Sequence, residues 1–151
     1  MNSQDRLRTG LLRVSAVLWV VWGLVHVLAG VMTISRETSK AVQGIADAVA
    51  PELLDITFPD AAGAVINQHG FNLAWIGLVT AIAAIFVWRG SRDAILFAAI
   101  VAGLTDLGYF LFMDLGGHVH FVPGTVMTLI CAAAIALSFV AYFGMGRADE
   151  K

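Results

Sequence analysis

The sequence contains few charged residues. Lysine, arginine, aspartate and glutamate make up 13% of it, against about 25% in an ordinary soluble domain. Hydrophobic residues make up 59%, which is more apolar surface than a soluble core can absorb. Binding of nucleic acid needs clustered basic residues, and the net charge is −2. The sequence therefore does not indicate a nucleic-acid partner. The composition predicts an integral membrane protein.

Cysteine is nearly absent. The single residue, Cys131, lies within an apolar run. One chain therefore can form neither a disulfide framework nor a cysteine-based metal cluster.

Four apolar runs are long enough to cross the hydrocarbon core of a membrane, which takes about 20 residues. They cover residues 14–34, 71–88, 94–113 and 123–143. The second is extended outward from about residue 61, because Asp60 can cap a helix there. Gly116 and Gly117 suit a helix stop, and Pro123 suits a first helical position. The sequence predicts an all-α, integral membrane four-helix bundle that forms a single domain over 1–151.

The lysine and arginine residues predict the orientation, because short basic segments stay in the cytoplasm. Seven flank the runs on one side, and two, Arg36 and Lys40, fall on the other. The seven are Arg6, Arg8, Arg13, Arg89, Arg92, Arg147 and Lys151. We therefore expect a multi-pass protein of the cell (inner or plasma) membrane with both termini in the cytoplasm.

The long segment between the first two runs has an amphipathic pattern. Its apolar residues recur at three- and four-residue spacing, and Pro51 should divide it into two short helices. The pattern fits either an interfacial helix on lipid headgroups or a lid over an outward-opening cavity.

Two ionisable residues fall inside the predicted spans at about the same depth. His26 precedes Ile34 by eight residues, and Asp106 precedes Asp114 by eight, which places both about 12 Å below the outer boundary. Such groups face the interior of a bundle or a wet cavity. His26 and Asp106 are candidate partners and a hypothetical acid–base pair, although an interhelical hydrogen-bond clamp would look the same.

Other polar residues lie on the outer halves of the helices and in the loop above them. The candidate pocket residues are His69, Asn72, Tyr109, Thr125 and Thr128. The His118-x-His120 pair could chelate a metal, as could His26 with Asp106, since imidazole and carboxylate are ligands for zinc, iron or copper. The threonines could equally bond to their own helix or to a neighbour.

These residues favour an outward-facing intramembrane pocket that binds a metal ion, a cofactor or a small apolar ligand, with room for His/Asp acid–base or redox chemistry. Haem b is a minority alternative, because His26 lies deeper than His69 and axial ligands need matched heights. Whether the protein is an enzyme stays open.

Two other classes of function fit the sequence. One is an accessory or structural subunit of a larger membrane complex, without a site of its own. The other is a proton-coupled transporter of small molecules that acts as a dimer, since four helices are few for a transport pathway. Membrane lipid is the expected partner, with a homo-oligomer or a larger complex as the further alternatives.

The general plan is an arginine-flanked first span, a long outer loop and three further spans. It resembles that of small DoxX-type bacterial membrane proteins, and the number of spans matches small b-type cytochromes. The resemblance is one of architecture and assigns no residue a role.

Overall fold

The chain forms an all-helical bundle. The computed structural model describes residues 3–146, and those residues contain no strand. Four helical segments are long and apolar enough to cross a membrane, with the third and fourth including the turns at their ends. These four segments are Ser3–Ser35, Asp60–Trp88, Arg92–Asp114 and Phe121–Phe143. The chain is therefore a multi-pass membrane protein, and the prediction of a four-helix bundle is confirmed.

Large apolar side chains cover the outside of the bundle. Leu28 is 59% exposed, Ile100 58% and Leu104 65%. In water such a surface would aggregate, whereas lipid tails solvate it. The four long helices thus bury small and aromatic residues toward one another and leave their large aliphatic residues for lipid.

Residues 3–146 form six α-helices: α1 (Ser3–Ser35), α2 (Thr38–Ile45), α3 (Pro51–Leu54), α4 (Asp60–Trp88), α5 (Arg92–Tyr109) and α6 (Val126–Gly146). Each of α1 and α5 packs against both α4 and α6, so the long helices form a ring in the order α1, α4, α5, α6. We name the two ends of this ring by their connections. The turn end carries the Arg89–Ser91 turn, and the loop end carries α2, α3 and the α5–α6 loop.

The pairing of α1 with α4 depends on glycine. Gly23 lies against Gly77 and Gly30 against Gly70, and the two contacts are seven positions apart on each antiparallel helix. A Cβ added to Gly23 would lie 2.6 Å from the carbonyl oxygen of Gly77. Small residues let membrane helices approach until their backbones touch. These four glycines are therefore a packing surface, and we call them the glycine seam.

Two tryptophans fill the centre of the bundle. Trp19 and Trp22 are fully buried and meet edge to face, with ring centroids 6.3 Å apart. Toward the turn end, Ser15 donates to the carbonyl of Ala134 at 2.9 Å, and its hydroxyl lies 2.5 Å from that of Ser138. These contacts fix the rotation of α1 about its axis, so the residue one turn beyond Trp22, His26, also faces inward.

The helix boundaries confirm one sequence prediction and correct two. Pro51 begins α3 and separates it from α2, as predicted. Asp60 does not cap α4, because Pro59 occupies the cap position and Asp60 is the first helical residue. Pro123 is not the first residue of a regular helix. It lies in an irregular turn, Phe121–Thr125, in which Val122 is extended, as residues before proline tend to be, and the regular helix α6 begins only at Val126.

Candidate ligand-binding cavity

A cavity of about 590 Å³ opens at the loop end of the bundle. It lies between α1, α4 and α5, with α2 across it and the start of α6 at one side. Residues from all these elements line it: Val25, His26, Ala29, Met32, Thr33, Arg36, Ala41, Gly44, Ile45, Asp47, Ile66, His69, Leu73, Thr105, Asp106, Gly108, Tyr109, Phe112, Met113, Pro123, Gly124 and Met127. Its walls are mostly apolar, and its polar groups are few.

The amphipathic segment between α1 and α4 forms a lid over this cavity. Within α2, Ser39 and Ala41 are buried against the bundle. The carboxylate of Asp47 accepts a hydrogen bond from the backbone N–H of His120 at 2.7 Å, and the N–H of Ala48 donates to the carbonyl of His118 at 3.1 Å. These two bonds, which we call the latch, hold the lid to the α5–α6 loop. Of the two arrangements that the sequence allowed, the structure has the lid.

Asp106 lies at the floor of the cavity and is 4% exposed. The indole N–H of Trp22 donates to its carboxyl oxygen at 3.1 Å, and the thiol of Cys131 is also within hydrogen-bonding reach. α1, α5 and α6 each supply one of these three side chains. A buried carboxyl needs such donors, since leaving it without them costs several kcal/mol. Asp106 thus joins three helices directly beneath the cavity.

Trp22 separates His26 from Asp106. The imidazole of His26 stacks on the indole of Trp22 with ring centroids 3.6 Å apart, while the indole N–H points to Asp106. Within residues 3–146, no hydrogen bond joins the imidazole to the carboxyl. The structure thus brings the two predicted partners to the floor of one cavity, with the indole of Trp22 between them. Their role as an acid–base pair stays a prediction.

The hydrogen bonding of His26 determines which of its ring nitrogens can meet a ligand. Nδ1 lies 2.8 Å from the carbonyl oxygen of Trp22. A carbonyl oxygen can only accept, so Nδ1 carries the proton. Nε2 has no hydrogen-bond partner in the described part of the chain, and in the neutral ring it is an acceptor. His26 therefore offers the cavity one nitrogen lone pair.

The wall formed by α4 and α5 contributes two of the predicted pocket residues, His69 and Tyr109. The Tyr109 hydroxyl lies 2.7 Å from the point where a Cβ on Gly124 would be, so only a glycine leaves room for it there. One residue earlier on α5, Gly108 also lines the cavity, and a Cβ added to it would meet nothing within 4 Å. The space beside Gly108 is part of the cavity.

The other predicted pocket residues lie elsewhere. Thr125 and Thr128 donate to the two carboxylate oxygens of Asp114, at 2.5 Å and 3.0 Å, and so tie the end of the third span to the start of the fourth. Asn72 is exposed, and its side chain accepts a hydrogen bond from the indole of Trp75 at 3.1 Å. None of these three residues lines the cavity.

The metal and haem hypotheses gain no support from the geometry. His118 and His120 are exposed in the loop and contribute backbone atoms to the latch. Among residues 3–146, no three histidine, cysteine or carboxylate side chains are grouped closely enough to hold a metal ion. Because Gly70 of α4 faces Gly30 of α1, His69 lies about 7.5 Å along the axis from His26, so the two histidines do not match in height.

The sequence did not indicate that Trp22, Asp47 and Arg36 belong to the site. Trp22 shares a helix face with His26, but no pattern shows that its N–H meets Asp106. Asp47 is one of several charged residues in the segment between α1 and α4, and nothing in the sequence marks it, although it lines the cavity and holds the latch. Arg36 counted only toward orientation, yet it also lines the cavity. The feature of the sequence that could have indicated a role for Arg36 is its position directly after the first span.

The fold and the cavity define a class: a four-span helical membrane protein with a lidded cavity at one end. Comparisons with models of protein families, with curated proteins and with solved structures find no match to this chain.

Proposed function

We propose that this protein binds a small, mainly apolar molecule in the cavity at the loop end. The supporting observation is the cavity itself, about 590 Å³ with mostly apolar walls and a few convergent polar groups. Binding sites for small molecules have volumes of about 300–1,000 Å³ and this kind of lining.

The polar floor gives the ligand its orientation. Nε2 of His26 can accept a hydrogen bond, and the Tyr109 hydroxyl can donate or accept one. Three methionines, Met32, Met113 and Met127, lie in the walls, and their flexible side chains adapt to irregular apolar shapes. The ligand is therefore an apolar body with at least one hydrogen-bonding group.

We also propose that the loop end faces outward and that the turn end faces the cytoplasm of the cell membrane. The guanidinium of Arg13 lies 5.2 Å from the Trp88 ring centroid, so the start of α1 and the Arg89–Ser91 turn share one end. Short segments rich in lysine and arginine stay in the cytoplasm. Arg147 and Lys151, which count toward the same side, lie outside the described residues.

Filling the cavity tests the binding function. Gly108→Leu places four carbons into the space beside α5, where a Cβ meets no atom. We expect it to weaken binding of hexadecanol, a neutral apolar probe, by about tenfold, as overpacking a site costs about 1–3 kcal/mol. Native mass spectrometry of the protein in mild detergent measures the bound fraction during a hexadecanol titration.

Gly10→Leu is the matched control, because Gly10 also lies in a helix with nothing within 4 Å of an added Cβ, but far from the cavity. It should bind hexadecanol like the wild type. Equal binding by both variants would overturn the proposal and favour an accessory subunit without a site. Liposome flux driven by a pH gradient and lost on Asp106→Asn would instead favour the transporter.

A further inference from the structure

Arg36 is a cation at the mouth of the cavity and forms an ion pair with no carboxylate among residues 3–146. It follows the last residue of α1 and lines the cavity. Its Nη1 lies 3.2 Å from the point where a Cβ on Gly44 would be, so the guanidinium rests on the backbone of the lid. On the lid, it is Lys40 that lies within ion-pair distance of a carboxylate, that of Asp55.

Three acidic side chains at the same end of the bundle make contacts with other groups. Glu37 caps α2, accepting from a backbone N–H at 3.1 Å. Asp47 holds the latch at 2.7 Å, and Asp55 lies 3.8 Å from Lys40. The guanidinium fork of Arg36 therefore remains available to a group from outside the chain.

The chemistry of that group follows from the residue type. A guanidinium binds carboxylates and phosphates through two parallel charge-assisted hydrogen bonds, which a neutral head group cannot match. Below Arg36 the cavity continues for about 15 Å along α1 to His26, the rise of ten helical residues. The walls over this distance are mostly apolar.

We propose that the ligand of this cavity is an anionic amphiphile, whose carboxylate or phosphate pairs with Arg36 while its apolar body extends toward His26 and Asp106. This inference rests on the proposed binding function and adds the charge and position of the head group. The lid helix α2, whose Gly44 leaves room for the guanidinium, holds Arg36 against the mouth.

The test compares two probes that share one chain length and differ in the head group, hexadecanoate and hexadecanol, by native mass spectrometry. The wild type should bind hexadecanoate about tenfold more tightly, as expected for one charge-assisted pair. Arg36→Gln should remove this preference, and Arg36→Lys, which keeps the charge but loses the fork, should keep part of it.

Lys40→Gln is the matched control, since it removes one positive charge from the same end at a residue that does not line the cavity. It should keep the preference for hexadecanoate. Equal binding of the two probes by the wild type, or a preference that survives Arg36→Gln, would overturn the proposal. If that result is found but Gly108→Leu still weakens the binding of both probes, the proposed binding function stands and only the proposal of an anionic head group is wrong.

The head group could belong to a free acid or to a membrane phospholipid. Nanodiscs of neutral phosphatidylcholine, supplied with either hexadecanoate or dioleoyl phosphatidate, separate the two sources. Arg36-dependent retention of one of them supports the proposal and identifies the source. Retention of neither overturns it.

Discussion

Glycine has opposite effects in two regions of this molecule. In the glycine seam, Gly23, Gly30, Gly70 and Gly77 let two backbones touch and leave no space. On α5, Gly108 has nothing opposite it, and the missing side chain becomes part of a cavity. Lipid supplies no hydrophobic force between helices, so close packing has to hold the bundle. The seam provides such packing on one side, and the other side can stay open for a ligand.

The largest effect is expected from adding one methyl group to the seam. In Gly30→Ala the new Cβ would overlap the carbonyl oxygen of Gly70 and lie 2.5 Å from the backbone nitrogen of Ala74. Backbone atoms cannot turn away as a side chain can, so the helices must separate. We expect a loss of about 3 kcal/mol in the free energy of unfolding, measured by tryptophan fluorescence in micelles of rising dodecyl sulfate fraction.

The same methyl group at Gly108 is the control for the seam. Gly108→Ala meets no atom and replaces a poor helix former, so stability should stay level or rise by up to about 1 kcal/mol. If the alanine variants at Gly30 and Gly108 were equally stable, the two glycine environments would not differ as the structure indicates.

A smaller effect should come from the floor of the cavity, where the packed and open regions meet. Trp22→Phe keeps an aromatic ring against His26 but removes the N–H that donates to Asp106. Leaving the buried carboxyl with one donor fewer should cost about 1–2 kcal/mol in the same unfolding measurement.

Trp75→Phe removes a comparable bond from the surface of the bundle. Trp75 is 42% exposed and donates to Asn72 at 3.1 Å. Its loss should change stability by less than about 0.5 kcal/mol, as for surface substitutions in general. If Trp75→Phe lost as much stability as Trp22→Phe, burial would not make the hydrogen bond between Trp22 and Asp106 more important for stability than a surface bond.

The sequence was sufficient for the parts of the fold that depend on helix length and periodicity. The spans follow from apolar runs, and Pro51 marks the start of α3 because proline suits the first turn of a helix but not its interior. His26 and Asp106 were found because ionisable residues are rare in apolar runs and must face inward. Each of these inferences needs only one segment of chain at a time.

The remainder of the site depends on how helices rotate and meet, which no single segment reveals. His69 and Asn72 lie on one side of α4, but the edge of the cavity falls between them. Thr125 and Thr128 were read as pocket residues, whereas a turn of the chain brings Asp114 to both hydroxyls. Periodicity shows which residues share one face of a helix, but tertiary packing decides which residues that face contacts.

The smallest expected effect concerns the lid, which separates the cavity from its surroundings. Asp47→Ala removes the acceptor of the His120 N–H and leaves one latch bond, between Ala48 and His118. The lid end is partly solvated, so we expect a change in global stability of less than about 1 kcal/mol. Opening of the lid should nonetheless become more frequent, because local opening depends on few bonds. Hydrogen exchange measured by mass spectrometry should rise in peptides that contain residues 41–48 and 118–121.

Asp60→Ala is the control for the latch, because Asp60 is an acidic residue at the same end whose side chain makes no hydrogen bond within the described residues. Exchange in the lid should stay at the wild-type rate in this variant. The seam should stay fully protected in both, since its backbones are shielded by each other and not by the lid. If exchange rose equally in the lid and in α4 around Gly70 after Asp47→Ala, the lid and the seam would open as one unit, and the division into a rigid and an openable region would be wrong.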